Sequence, residues 1–238
     1  MMHSSLDRRS FLKVAAGAAG ARTAWARTRL GANSEAWRLV AATDQARVLE
    51  AAKRYVEEAP LTITAFAAKG SAGGLHDFYS QADYFWPNPK DPNGPYVNRD
   101  GQTNPANFDD HRRVMVRLSI QVPALTAAWL LTHERRFSDR AVAHLRAWFV
   151  TPATCMNPNL QFAQAVTGAS TGRSYGIIDS LHLVEVARAA DFLASEMSVA
   201  DEQALRQWFS SYLDWLNTSD PGKTGSMAEF VGKKEDNR

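Results

Sequence analysis

The sequence predicts an all-α fold: an α/α barrel (toroid) of antiparallel helix pairs with long substrate-facing loops. Three observations predict it. Apolar residues recur at helical spacing through five segments of the chain. None of these segments shows the apolar–polar alternation of a half-buried strand. The helices are separated by two long loops, residues 61–106 and 151–175, rich in Trp, Tyr, Asn, Gln, Pro and Gly. Loops of that length in a compact domain are functional or disordered, and these are too aromatic to be disordered. They favour a helical scaffold with a binding face over a plain bundle, and no internal repeat points to a solenoid.

Taken in order, residues 1–29 read as a twin-arginine signal peptide. Arg8-Arg9-Ser10-Phe11-Leu12-Lys13 is the charged start, residues 14–21 (VAAGAAGA) form a short apolar run, and Ala24-Trp25-Ala26 offers small residues to a signal peptidase. The expected localisation is therefore periplasmic, with the twin-arginine export machinery as a partner of the precursor. The run is too short for a permanent membrane helix, and no second apolar stretch is expected to span a bilayer.

Residues 30–217 are expected to form the helical domain. The first helix follows Ser34 with Trp37, Val40, Val48, Leu49, Ala52 and Tyr55, and stops by Pro60. The second follows Pro105-Ala106-Asn107, with Val114, Leu118, Gln121, Val122, Leu125 and Trp129 on its stripe; Pro123 is expected to kink or interrupt it. Ser138 is expected to open the third, carrying Val142, Leu145, Trp148 and Phe149 as far as Pro152. The fourth is expected from about Gly176 through Ile178, Leu181, Val184, Ala187 and Leu193. Ser198 caps the fifth, with Leu205, Trp208, Phe209, Tyr212, Leu213 and Leu216. Residues 218–238 are polar, lack periodicity and are expected to be a disordered tail.

Composition narrows the function classes. The signal carries a net +5 while the whole chain is +2, so the remainder stands near −3. A nucleic-acid partner is not expected, because phosphate backbones need a basic face. A 45% hydrophobic content with seven Trp supports a real core. Cys155 is alone, so no disulfide forms within the chain, and it reads as a small buried residue rather than a nucleophile.

The chemistry lies in the loops. The first contains Tyr84, Phe85, Trp86 and Tyr96, flat faces suited to sugar rings, and Arg99, which can pair with a carboxylate. Phe85 is expected to pack the loop onto the helices. The second contains Asn159, Gln161 and Gln164, whose amides suit a hydroxyl-rich or carboxylate ligand. Arg173 is expected beside the start of the fourth helix, where backbone N–H groups also favour an anion. His182 reads as a core histidine before it reads as a base. Asp77, Asp83, Asp109 and Asp110 offer the two carboxylates of a glycoside hydrolase, though capping and surface roles explain them as well. His76, Asp77 and His111 match no metal-ligand spacing.

Several strings then resemble the alginate-lyase-like polysaccharide lyase family. They are residues 80–112 (SQADYFWPNPKDPNGPYVNRDGQTNPANFDDHR), residues 144–149 (HLRAWF), Met156-Asn157-Pro158-Asn159-Leu160 with Gln164, and Gly172-Arg173 followed by Gly176-Ile177-Ile178-Asp179. The resemblance covers residues 45–217 and implies an α/α toroid that cleaves an anionic uronic-acid polysaccharide by β-elimination. It implies no metal and no cofactor. With residue chemistry, it points to Tyr84, Trp86, Arg99, Asn159, Gln164 and Arg173 as substrate-binding residues. The family's Asn-Asn-His motif and a later Tyr segment are absent, so the catalytic residues are unknown. The chain is expected to be a C-terminally truncated member with an incomplete toroid, whose activity the missing motif puts in question. A non-catalytic uronate-polysaccharide-binding protein and, after it, an α/α-toroid glycoside hydrolase are the alternatives.

Overall fold

The computed structural model describes residues 35–225. The expected signal peptide, the Ser34 cap and the part of the expected tail beyond residue 225 lie outside these residues. The fold is all-α, a succession of packed helix pairs as in an α/α toroid, with short strands confined to the two loops.

Helix α1 (Glu35–Tyr55) carries Lys53 and Arg54 in its last turn, where cations complement the helix dipole. It buries Ala52 completely and sets Val48, Leu49 and Tyr55 against the core. Helix α2 (Asp110–Thr132) lies between α1, α3 (Arg135–Phe149) and α4 (Leu183–Phe192). It ends on His133, which takes the left-handed conformation (φ 58°) and donates its N–H to the Trp129 carbonyl. The predicted interruption at Pro123 does not occur. Proline deprives the Ser119 carbonyl of its helical donor, but buried Val122, Leu125 and Ala128 hold the second half of α2 in the core. Among the described residues α2 is the one helix long and apolar enough to cross a membrane, contrary to the expectation that no stretch was. Its apolar residues serve the core instead, as a central helix requires.

Helix α3 begins three residues before the predicted cap. Ser138 is buried inside it, with the Arg135 carbonyl (3.0 Å) and Glu196 Oε2 (3.2 Å) as acceptors within reach of its one hydroxyl hydrogen. The fourth helix also departs from the prediction. Residues Ser174–Ser180 form a 3-10 turn, α4 starts only at Leu183, and a second 3-10 turn spans Leu193–Glu196. Ile178, Leu181 and Val184, expected inside, are 59%, 64% and 36% exposed. Leu183, Val186 and Ala189 are buried in their place, while Leu193 is buried as expected. Gly176 packs its bare Cα against Ala163, and Asp179 is tied into a buried polar network, so this segment is held in the tighter helix and its faces rotate.

Helix α5 (Val199–Thr218) matches its prediction. Ser198 Oγ accepts the Asp201 N–H at 3.1 Å, and Leu205, Trp208 and Tyr212 are buried. Residues 220–225 are helical as well, so the expected polar tail does not begin at 218. An aromatic cluster joins α3 to α5, with Phe149 and Trp208 rings 4.6 Å apart and Trp208 stacked on Tyr212 at 5.5 Å. Both core tryptophans find polar partners in the loops: Trp148 Nε1 donates to the Leu61 carbonyl (2.9 Å) and Trp208 Nε1 to the Met156 carbonyl (2.5 Å). The start of each long loop is thereby anchored to the helices.

His144 is a buried titratable group of this core. It is 1% exposed, its Nε2 has no hydrogen-bond partner among the described residues, and burial, then Arg140 and Arg117, push its pKa down to about 4 from 6.5. A histidine kept neutral by folding stabilises fully above its unfolded pKa, and that contribution is lost as pH falls through the folded one. Stability should therefore drop between pH 6.5 and about 4, by about 3 kcal/mol from this group. Urea midpoints measured across that window should fall less steeply in a His144→Gln variant than in the wild type.

Candidate functional site

The two long loops are stitched together by strands too short to show in the sequence. Strand β1 (Tyr79–Gln81) pairs in parallel with β4 (Phe162–Ala165), Tyr79 opposite Phe162 and Gln81 opposite Ala165, with an irregularity between the two pairs. Strands β2 (Phe85–Trp86) and β3 (Val97–Asn98) form an antiparallel ribbon within the first loop. Its far end rests on the second loop, where the Tyr96 N–H donates to the Thr167 carbonyl at 3.0 Å. Gly168 permits this approach. Its φ is +75°, and a Cβ there would lie 2.9 Å from the Pro95 Cα.

The irregularity in the β1–β4 pair centres on Ser80 and Gln164. Gln164 is buried with φ 56°, a left-handed conformation uncommon for this residue type. Its N–H donates to Ser80 Oγ (2.9 Å), and Ser80 Oγ donates to Asp179 Oδ2 (2.6 Å). Its side-chain Nε2 donates to Asp179 Oδ1 at 3.1 Å. Arg112 completes the network: Nη1 donates to Asp83 Oδ1 (2.6 Å) and Nη2 to the Gln81 carbonyl (3.3 Å). Its Nε lies 3.2 Å from Asp179 Oδ1, an ion pair without an aligned hydrogen bond. Burial opposes the Arg112 charge, but Asp179 and Asp83 outweigh it and raise its pKa.

Arg173 stands at the edge of this network. Gly172 places it there, because a Cβ at residue 172 would collide with the Gln161 carbonyl. Arg173 Nε donates to the Gln164 carbonyl (2.9 Å), and Nη2 lies 3.5 Å from Gln164 Oε1. The guanidinium lies against the rings of Phe85 and Tyr175, 4.9 and 5.6 Å from their centroids. Among the described residues no carboxylate pairs with it, and Nη1 makes no hydrogen bond. Burial lowers its pKa, with Tyr175 acting weakly the other way. A half-buried cation lying against two aromatic rings, with donors to spare, has the chemistry to pair with a planar anion such as a carboxylate.

The structure brings together two of the six predicted binding residues, Gln164 and Arg173. The others stand elsewhere. Trp86 follows Phe85 in β2, so the two rings leave opposite faces of the ribbon. Phe85 turns to Arg173, while Trp86 lies 5.1 Å from the Arg99 guanidinium and donates Nε1 to the Gln102 carbonyl. Trp86 and Arg99 thus staple the ribbon on its other side. Tyr84 is 42% exposed, and among the described residues only its backbone carbonyl is engaged, by the Arg99 N–H. Asn159 does turn chemistry: Oδ1 accepts the Gln161 N–H at 3.1 Å. Arg173 precedes a 3-10 turn and not the fourth α-helix, so the expected help from a helix dipole is withdrawn.

Sequence reasoning missed Phe85 and Tyr175 as walls, and Ser80, Arg112 and Asp179 as supports. Asn104 and Asn107, both donating through Nδ2 to the Phe85 carbonyl, are the signal that Phe85 is held in place. The carboxylates offered for a glycoside hydrolase are engaged elsewhere: Asp83 with Arg112, Asp109 and Asp110 with Arg113, and Asp77 with Asn157. Among the described residues no three His, Cys, Asp or Glu side chains converge as metal ligands. His111 is occupied by the Tyr79 N–H and the Phe66 carbonyl, and His76 by the Cys155 carbonyl.

Comparison with known proteins agrees with this architecture. Residues 62–229 match the family described as alginate lyase. The fold superposes on the crystal structure of an alginate lyase from Bacteroides ovatus with a TM-score of 0.68 and 25% sequence identity. That match covers 83% of this chain and 52% of the other, so the chain spans about half the length of the structure it matches. No curated protein matches the chain.

Proposed function

Because the chain belongs to the alginate lyase family, we propose that it works on an anionic uronic-acid polysaccharide, cleaving it by β-elimination as a polysaccharide lyase. The observation that carries the reading is Arg173, a guanidinium against Phe85 and Tyr175 that pairs with no carboxylate among the described residues. β-Elimination from a uronate removes the C5 proton next to the carboxylate, and that proton becomes acidic only when the carboxylate charge is neutralised. Arg173 supplies that neutralisation. A base must then take the proton and an acid must protonate the departing glycosidic oxygen.

A second reading from the same observation is a uronate-polysaccharide-binding protein that performs no chemistry, for which Arg173 supplies the affinity. One assay separates the two. Incubation with alginate and with polyglucuronate is followed at the ultraviolet absorbance of unsaturated uronate ends. A rising signal is expected of a lyase; saturable binding without it supports the second reading, and neither result removes both.

We also propose that the protein reaches the periplasm by the twin-arginine route. Arg8→Lys together with Arg9→Lys should leave the precursor in the cytoplasm on fractionation, and unchanged export would refute this route.

A further inference from the structure

We infer that Asp179 is a positioning residue for uronate recognition: it orients Gln164, and through Gln164 it aims the Arg173 guanidinium. The inference rests on the reading of Arg173 as the carboxylate receptor. Asp179 is itself 3% exposed on its side chain and does not face a ligand. Its value lies in being an acceptor at both oxygens.

Oδ2 accepts a hydrogen bond from the Ser80 hydroxyl (2.6 Å), which turns a Ser80 lone pair toward the Gln164 N–H, 2.9 Å away. This bond helps hold Gln164 at φ 56°, a conformation it would not keep unaided. Oδ1 accepts from Gln164 Nε2, so the amide presents Nε2 to Asp179 and Oε1 to Arg173. The Gln164 backbone carbonyl, set by the same left-handed turn, receives Arg173 Nε at 2.9 Å. Two acceptors of one residue therefore orient the guanidinium, and a carboxylate on another element fixes both. Asp179 also takes part of the Arg112 charge, so Arg112 does not compete with Arg173 for the ligand.

An amide at residue 179 would break this logic while keeping the shape. Asp179→Asn offers one acceptor and one donor. Either Ser80 must reverse its hydroxyl, or Gln164 must flip and point Nε2 at Arg173, a donor against a cation. The full chain and its variants would be titrated calorimetrically with an alginate hexasaccharide and with an uncharged cello-hexaose control. Asp179→Asn should weaken alginate binding by about tenfold, the scale of coupling within one hydrogen-bonded network. In an Arg173→Ala background the same substitution should weaken it no further. That loss of effect distinguishes positioning from general damage, because a purely structural defect would act in both backgrounds.

Ser80→Ala, which removes the relay and keeps the carboxylate, should act in the same direction and carries the test if Asp179→Asn does not fold. Wild-type affinity in Asp179→Asn, or in Ser80→Ala when it stands in, overturns the inference, as does an equal loss with and without Arg173. Failure of the underlying reading looks different: the wild type would then not bind the alginate hexasaccharide, or Arg173→Ala would bind it unchanged.

Discussion

Arg173→Ala is expected to remove most of the affinity for uronate oligosaccharides, by about 1.5–3 kcal/mol or roughly ten- to a hundredfold in Kd, the range of hydrogen bonds to charged groups. The size follows from the surroundings. The guanidinium is half-buried against Phe85 and Tyr175, so its interaction with a carboxylate is screened less than at an open surface. Its Nε is committed to the Gln164 carbonyl, which leaves Nη1 and Nη2 as the pair of donors for a planar anion. Arg173→Lys should restore only part of the loss, since an ammonium keeps the charge but cannot present two parallel donors or stack between the rings. Titration calorimetry with an alginate hexasaccharide reads both variants. Unchanged affinity in Arg173→Ala would take this residue out of the site.

The second large effect is on stability. Trp148→Ala should destabilise the fold by about 3–5 kcal/mol, the range for deleting a buried aromatic side chain. Trp148 is 0% exposed and is among the largest side chains of the core. Its Nε1 also holds the Leu61 carbonyl, so the truncation leaves a cavity and an acceptor without its donor where the first long loop departs. For a domain with a typical stability of about 5–15 kcal/mol this is a large fraction. Trp148→Phe should cost less, because it retains most of the packing and loses only the N–H and part of the ring. Urea denaturation followed by circular dichroism compares the three proteins, and a midpoint for Trp148→Ala equal to the wild type would refute this account of the core.

Both expectations mix what the sequence shows with what it hides. Trp148 was readable as a core residue because Val142, Leu145 and Phe149 share its helical stripe. Its bond to Leu61 was not, because a loop carbonyl has no pattern. Arg173 and Gln164 were readable by residue type. Phe85 was assigned to packing, and Trp86 to binding, because nothing local says which of two neighbouring rings faces the second loop. The ribbon decides it, since consecutive strand residues project to opposite sides. The fourth helix shows the same limit: Ile178, Leu181 and Val184 have good helical spacing, yet the packing of Gly176 and the anchoring of Asp179 shift which face turns inward.

The sequence by itself determined the all-α class, four of the five main helices in outline, the two long loops and the family they belong to. These features rest on apolar periodicity, caps and characteristic strings, all of which act over a few residues or a few turns. Only the tertiary structure decided which loop residues meet. Ser80 reaches Asp179 across 99 positions and Gln164 across 84, through strands of three and four residues that carry no periodic signal. Such contacts form when the helices beneath have set the loops side by side, so the arrangement around Arg173 is a property of the packed chain and not of any one segment.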